Sequence, residues 1–309
     1  YHGLESRIKS LFLGNRYFEQ FGLRYIGPVD GHDLKALKSA FTVAREDKRS
    51  VIVHVVTKKG KGFAPAEKSP TYWHGVGPFD IAKASSLRDA PGAKALTWSD
   101  AFGSALAERA AEDPRIVALT AGMTDGTGLS QFAARFKNRF FDVGIAEGHA
   151  VTFSAGLAKE GLQPFCNIYS SFMQRAYDNI IHDVAILKLP VVLCLDRAGL
   201  VGEDGPTHHG AFDLAYFGCI PNIVIAAPSN ERELRNMMFT ALSAECPFVI
   251  RYPRGCGEGV EWRDCGFELL PIGKGVCLKG GKDIAILTVG TTASSATKAI
   301  ALAAEQGLD

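Results

Sequence analysis

Five short segments of this chain gather residue types that can move protons, stack on flat rings or hold anions. The first is Asp142-Val143-Gly144-Ile145-Ala146-Glu147-Gly148-His149-Ala150. Its pattern reads as a strand end, a turn at Gly144 and a helix start, with Glu147 in the first turn, where the dipole favours an anion. The neighbours Val143, Ile145, Ala146, Ala150 and Val151 are apolar, which puts the carboxylate near the core. A carboxylate in that setting needs a partner or takes up a proton. Glu147 is therefore either an acid that helps the helix start or a group that shares a proton with a ligand nitrogen. The second segment runs from Asn167 to Asp178. A strand ends in a polar turn, Ser170 or Ser171 caps a helix, and Phe172 falls in its first turn. Phe172 packs in the core or offers its face to a heterocycle.

The third segment, Leu195 to Gly210, follows an apolar strand and is rich in glycine and titratable groups. Arg197 can grip a phosphate or carboxylate with its planar fork, and His208 can move protons near neutral pH. The alternatives are a solvated loop capped by Thr207, or a metal site of Asp204, His208 and His209 without HxH or HxxxH spacing. The fourth, Arg251-Tyr252-Pro253-Arg254-Gly255, closes the last strand, and one of its arginines could reach the anion held by Arg197. The fifth covers 58–76. It holds Lys58-Lys59-Gly60-Lys61-Gly62-Phe63 and Tyr72-Trp73-His74. A Gly/Lys loop after a strand can cradle anions, although neither GxxxxGK[ST] nor GxGxxG is present.

The elements that must carry these segments follow from the apolar pattern. Residues 4–20 read as an amphipathic helix, 24–26 as a strand, and Asp30 as the cap of a helix over 32–45. Residues 51–56 are a β-branched run typical of a buried parallel strand. Residues 58–92 carry no period and read as a functional loop or linker. Thr97 or Ser99 caps a helix to about Glu112. Strands then follow near 116–120, 140–143, 164–168, 191–195, 223–226 and 248–251. Helices fit at 129–137, 145–159, 171–187, 210–217 and 229–244. Alternation of this kind implies an α/β fold with a doubly wound parallel sheet, whose ligands bind at the carboxyl ends of the strands. A further strand at 284–289 and a helix at 292–306 read as the opening of another domain.

The chain has 309 residues, 47% hydrophobic and 22% charged, with a net charge of +1. That is a globular composition of about two domains. The charge balance argues against a nucleic-acid footprint or a polybasic membrane surface. No apolar run approaches the ~20 residues that span a bilayer. Seven cysteines without a CxxC pair argue against a disulfide framework and for a reducing compartment, and Cys194 reads as a core residue. The chain begins at Tyr1 and stops soon after one βα unit, so it reads as part of a longer polypeptide with no visible targeting signal.

Taken together, the segments resemble the thiamine-diphosphate enzymes of the transketolase superfamily, and within them the 1-deoxy-D-xylulose-5-phosphate synthase family. The matching strings are YIGPVDGHD at 25–33, TKKGKGF at 57–63, HGVGPFD at 74–80, DVGIAEGHAVTFSAGLA at 142–158, YSSFMQRAYDNIIHDVA at 169–185, DRAGLVGEDGPTHHGAFD at 196–213 and RYPRG at 251–255. The resemblance covers essentially the whole chain. It implies that 1–92 ends a diphosphate-binding domain plus linker, that 93–262 is a pyrimidine-binding domain, and that 263–309 begins a C-terminal domain. It implies thiamine diphosphate as cofactor, together with Mg2+. The family's metal motif is a GDG followed by an Asn; no GDG occurs in the chain, so no metal ligand is assigned here and the ligands are expected upstream of Tyr1.

The resemblance also implies roles. Glu147 is the carboxylate that hydrogen-bonds the aminopyrimidine, Phe172 the ring stacked on it, and Ile145 and Lys61 lie on the cofactor side. Tyr169, Arg197, Arg251, Asp204 and His208 form the substrate side, with Arg197 and Arg251 on the phosphate. Asp204 and His208 orient substrate oxygens and assist proton transfer, and His74 is a linker histidine that approaches the cofactor. The implied reaction joins pyruvate, with loss of carbon dioxide, to glyceraldehyde 3-phosphate. The implied state is a cytoplasmic homodimer, and 1–309 by itself is expected to bind cofactor poorly and turn over nothing. Gly148 stands where the family commonly has a glutamine, which implies a looser helix start. Rival readings are a transketolase, a 2-oxo acid dehydrogenase β subunit, a non-catalytic module that keeps the fold, and a metallohydrolase centred on Asp204 and His208.

Overall fold

The computed structural model describes residues 16–83, 85–86 and 96–308. The chain divides into two compact units, Tyr1–Lys94 and Ala95–Asp309.

In the first unit, strand β1 (Arg24–Asp30), helix α1 (Leu34–Glu46) and strand β2 (Val51–Val56) form a parallel pair with its crossover helix. The helix cap is Asp33, whose side chain accepts from the backbone N–H groups of Lys35 and Ala36. Asp30, expected to cap, is still part of β1 and turns back to accept from the His32 N–H. Strand β2 is half-buried rather than buried, with His54 and Val56 exposed. A two-stranded sheet against one helix cannot cover both faces. Of the expected helix at 4–20, Arg16–Glu19 is helical and 4–15 lie outside the described residues. The stretch after β2 is not structureless. It holds a short helix, Ala64–Lys68, a turn at Tyr72–His74 and a two-residue pairing of Phe79–Asp80 with Ser85–Ser86. Its order comes from an edge-to-face cluster of Phe63, Trp73 and Phe79 rather than from a periodic apolar face.

The second unit opens with α2 (Trp98–Glu112). Thr97 caps it in a reciprocal box: its hydroxyl oxygen accepts from the Asp100 N–H while Asp100 accepts from the Thr97 N–H. There follow β3 (Ile116–Thr120), α3 (Ser130–Arg135), β4 (Phe140–Asp142), α4 (Glu147–Lys159) and β5 (Gln163–Tyr169). Next comes a composite helix α5 over 170–185, which includes a 3-10 turn at Gln174–Ala176 and a π turn at Ile180–Ala185. The unit continues with β6 (Val192–Asp196), α6 (Asp213–Gly218), β7 (Val224–Ala226), α7 (Glu231–Ser243), β8 (Phe248–Arg251) and α8 (Thr292–Ala304). The six strands are parallel, in the order β4-β3-β5-β6-β8-β7.

Strands β3 and β6 are buried at every position. Alternate residues of the central strands β5, β6 and β8 feed two cores. Val192, Cys194, Phe248 and Ile250 pack with Trp98, Phe102 and Leu106 of α2 on one face. Leu193, Leu195, Cys166 and Ile168 pack with Ala150, Val151 and Ile180 on the other. This double burial is why the strands read as unbroken apolar runs. The chain runs from β3 outward to β4, then back across to β5, so the winding reverses between β3 and β5. The crevice at the carboxyl ends of those two strands is where a fold of this kind binds ligands.

Helix α2 lies so close to the loop after β3 that neither Gly103 nor Gly128 has room for a Cβ against the other segment's backbone. Gly128 also has φ +74, a left-handed value that glycine adopts freely. Asp142 ties the loops after β3 and β4 together by accepting from the N–H groups of Gly122 and Gly144 and from the Thr124 hydroxyl. Residues 284–289, expected to be a strand, pair with no neighbour among the described residues, and Ile284 and Leu287 are exposed. No described helix is long and apolar enough to cross a membrane.

Candidate active site

Glu147 is the first residue of α4, and its side chain is only 4% exposed. Its Oε1 accepts from Arg175 Nη1 at 2.8 Å. The same guanidinium lies over the Phe172 ring, 4.9 Å from its centroid. Arg175 therefore joins the buried carboxylate to the aromatic ring across 25 residues of chain, and it supplies the partner that a buried anion requires. Ile145, just before the helix, is exposed. Beside Glu147, a Cβ on Gly148 would stand 2.7 Å from Asn179 Oδ1. The Asn179 amide, held by Thr152 and Asp183, fills the space that a larger side chain would need.

Phe172 continues into a second cluster. Its ring stacks on Tyr169, with centroids 5.6 Å apart and planes 27° apart, and meets the His208 ring edge to face at 5.1 Å. Tyr169 is the last residue of β5, and burial pushes its phenol up to about 12. The guanidinium of Arg197 lies 3.8 Å above that phenol ring. Arg197 adopts φ +62, uncommon for a residue with a side chain, immediately after β6. Its Nη1 donates to the Gly126 carbonyl at 2.9 Å and to Asp196 Oδ1 at 3.2 Å, and its Nε to Asp204 Oδ2 at 3.0 Å. His208 hydrogen-bonds Thr207 through Nδ1.

Below this cluster lies Asp196, fully buried, with Oδ2 accepting from the Ser99 hydroxyl at 2.6 Å. Burial pushes its carboxyl up to about 6, against the opposing pull of Arg197. The buried Tyr252 phenol stands in the field of the same carboxylate, and its hydroxyl has no partner among the described residues.

The structure thus brings Tyr169, Phe172, Arg197, Asp204 and His208 together, with Glu147 attached through Arg175. Arg251 turns elsewhere: its Nε donates to Asp213 Oδ2, 3.0 Å away, an oxygen that also accepts from the Ser170 hydroxyl. The sequence offers Ser170 or Ser171 as the cap of α5, but neither caps it: Ser170 is drawn to Asp213, and the buried Ser171 hydroxyl has no partner among the described residues. Lys61 and His74 belong to the first unit, where both are exposed and His74 Nδ1 lies 2.7 Å from Lys59 Nζ. Sequence reasoning missed Arg175, Asp196 and Ser99 as members of the constellation; of the two arginines it offered at the end of the last strand, Arg254 is the one that joins, its Nε 3.1 Å from Asp204 Oδ2. Asp196 alone carried a usable signal, an acid ending an apolar strand. No group of three or more potential ligands suited to a metal ion occurs among the described residues, so Asp204, His208 and His209 form no such site.

Residues 94–258 match the family model of the transketolase pyrimidine-binding domain. That is more than half of the chain, and the chain belongs to this family. Residues 1–57 match a second model, described as 1-deoxy-D-xylulose-5-phosphate synthase. Proteins of that name are close relatives. The chain is 57% identical over 288 residues to the synthase of Bacteroides thetaiotaomicron, covering 93% of this chain and 44% of that one. It is 50% identical over 305 residues to synthase 1 of Geobacter metallireducens, covering 99% and 48%. It is 48% identical over 304 residues to the synthase of Aquifex aeolicus, covering 98% and 48%. The chain spans just under half the length of these curated relatives.

Among solved structures, a split-gene transketolase described as an inactive β4 tetramer overlays with a TM-score of 0.60 at 32% identity, covering 70% of this chain and 69% of that one. The transketolase of Campylobacter jejuni overlays with a TM-score of 0.50 at 17% identity, covering 81% and 49%, a likeness of fold alone.

Proposed function

We propose that the chain carries the pyrimidine-binding part of a thiamine-diphosphate-dependent transferase. Its reaction joins pyruvate, with loss of carbon dioxide, to glyceraldehyde 3-phosphate and yields 1-deoxy-D-xylulose 5-phosphate, the first step of a non-mevalonate isoprenoid route. In this reading, 1–92 end the diphosphate-binding domain and its linker, 93–262 are the pyrimidine-binding domain, and 263–309 begin the C-terminal domain.

The observation that carries it is the buried Glu147 carboxylate, joined through Arg175 to the Phe172 ring beside the crevice where the sheet reverses. These groups fit an aminopyrimidine: a flat ring to stack on and a carboxylate in a low-dielectric setting where proton sharing is effective. Bound there, the cofactor supplies a carbon nucleophile and an electron sink for decarboxylation. Glu147 shares the proton of the ring nitrogen, and Phe172 and Ile145 hold the ring. Tyr169, Arg197, Asp204 and His208 take the substrates. Arg197 holds the phosphate, while Asp204 and His208 orient the substrate oxygens and move protons; Arg251, bound to Asp213, stands outside this group. The Mg2+ that accompanies the diphosphate takes its ligands from outside the described residues.

The enzyme works as a homodimer in the cytoplasm. Seven cysteines without a disulfide support a reducing compartment. The test is Glu147→Gln in the enzyme, read as carbon dioxide release that depends on glyceraldehyde 3-phosphate. Loss of a group that works by proton transfer is expected to lower the rate by ~10²–10⁴-fold without loss of fold. A variant that keeps the wild-type rate refutes the reading.

A further inference from the structure

Asp196 ends β6 near the middle of the sheet and has no access to solvent. Two groups meet its carboxylate. The Ser99 hydroxyl, from α2, donates to Oδ2 at 2.6 Å, and Arg197 Nη1 donates to Oδ1 at the longer distance of 3.2 Å. Arg197 is its only ion-pair partner among the described residues, and that guanidinium is divided among several groups. Its Nη1 also serves the Gly126 carbonyl, its Nε serves Asp204, and its face lies on the Tyr169 ring. Asp204 in turn carries Arg254 on its far side. The other titratable groups in the field of Asp196 are the Tyr252 phenol beyond β8, the Cys194 thiol on its own strand and the Tyr169 phenol at the end of β5. None of these three carries a positive charge, so one shared cation balances the buried anion. A buried carboxylate that loses its countercharge takes up a proton rather than stay ionised. The Ser99 hydroxyl suits both states: it donates to the ionised carboxylate and can turn to accept from a protonated Oδ2.

We propose that Asp196 is a positioning residue that couples the substrate site to a proton: when an anionic ligand engages Arg197, one proton moves from solvent to the Asp196 carboxylate. A single O–H bond forms, and the added proton offsets one unit of the incoming negative charge. Burial already raises this carboxyl to about 6, which puts the exchange in the range where enzymes work. The coupling also keeps Arg197 in place. Its Nη1 remains bonded to Gly126 and its face to Tyr169 while its charge turns to the ligand. That the anion engages Arg197 rests on the function proposed above; the answer of Asp196 to it is the new element.

The test is calorimetric titration of the chain with sulfate between about pH 5.5 and 7.5, in two buffers of different ionisation heat. Sulfate stands in for a phosphate monoester and keeps its charge over this range. The wild type is expected to bind about tenfold more tightly at the lower pH, the factor that one unit of pKa displacement supplies, and to take up protons on binding in between. Asp196→Asn keeps the shape without titrating. It is expected to lose that proton uptake and to bind at the higher pH about as the wild type does at the lower. His208, which meets the Phe172 ring beside the site, can also charge in this range, so the readout is the difference between the two proteins. Ser99→Ala removes a donor that favours the ionised carboxylate, so the pH at which binding tightens is expected to move upward; this variant decides if D196N loses its native circular dichroism. The proposal is overturned if D196N follows the pH dependence and proton uptake of the wild type, or if S99A leaves the pH dependence where it was. Sulfate binding that survives Arg197→Met, or a wild type that binds no sulfate, overturns both this proposal and the phosphate role of Arg197. A Glu147→Gln enzyme with its full rate would remove the reaction and leave these titrations standing.

Discussion

Gly148 adjoins the carboxylate on which the proposed chemistry depends, and replacing it by alanine sets two effects of similar size against each other. Its backbone φ is not left-handed, so alanine is conformationally acceptable. In a helix the change gains ~0.5–1 kcal/mol, because glycine loses more freedom on folding. The new methyl, however, would stand 2.7 Å from Asn179 Oδ1, and ordinary contact begins at 3.4 Å, so the amide must retreat by about 0.7 Å. Asn179 is tethered by Nδ2 to Thr152 Oγ1 at 3.0 Å and, more weakly, to Asp183 Oδ2 at 3.4 Å. Giving up the shorter bond costs ~0.5–1.5 kcal/mol. The two terms nearly cancel, so Gly148→Ala is expected to change stability by no more than ~0.5 kcal/mol. With Asn179→Ala already in place there is nothing to displace, and the same substitution is expected to stabilise by ~0.5–1 kcal/mol. Urea unfolding of the four proteins measures the difference, which is a midpoint shift of about half a molar at the usual slope. Equal effects of Gly148→Ala in both backgrounds refute the reasoning, because the coupling is its only structural content.

Two other substitutions probe the buried charges. Asp196 has its carboxyl raised to about 6 from 3.8, so the folded state holds the proton more tightly than the unfolded chain. This group therefore favours folding most below pH 3.8, and that contribution, at most ~3 kcal/mol, is lost as pH rises through about 6. Asp196→Asn is expected to remove this term, so stability relative to the wild type rises between pH 4 and 6.5; parallel pH curves for the two proteins would contradict it. Arg175→Met leaves Glu147 buried without its countercharge. Because the arginine is itself 58% exposed, the loss is expected to be ~1–2 kcal/mol, below that of a fully buried pair. Adding Glu147→Gln recovers most of it, since an amide needs no countercharge; thermal melts of the single and double variants check this.

Much of the frame was legible because its causes are local. Strands buried on both faces must be apolar throughout, so Ile116–Thr120 and Phe248–Arg251 stand out at their observed bounds. The capping box at Thr97 and Asp100 lies within four residues. Where two local solutions compete, tertiary packing chooses. The sequence offers Asp30 as the cap, but extension of β1 through Asp30 leaves the role to Asp33. Ser170 looks like a cap until Asp213, far along the chain, draws its hydroxyl away. Residues 284–289 have the composition of a strand, but a strand exists only where a neighbour pairs with it.

The site divides along the same line. The order of residues alone determined that the sheet is parallel and that Glu147, Phe172, Tyr169 and Arg197 stand at the ends of its strands, because burial and turn chemistry act over a few residues. Only the folded chain decided that Arg175 would meet Glu147, that Ser99 would reach Asp196 and that Arg254 rather than Arg251 would share an oxygen with Arg197. Charged side chains in helices and loops read as solvated faces, and their partners depend on which strand ends the winding of the sheet places side by side.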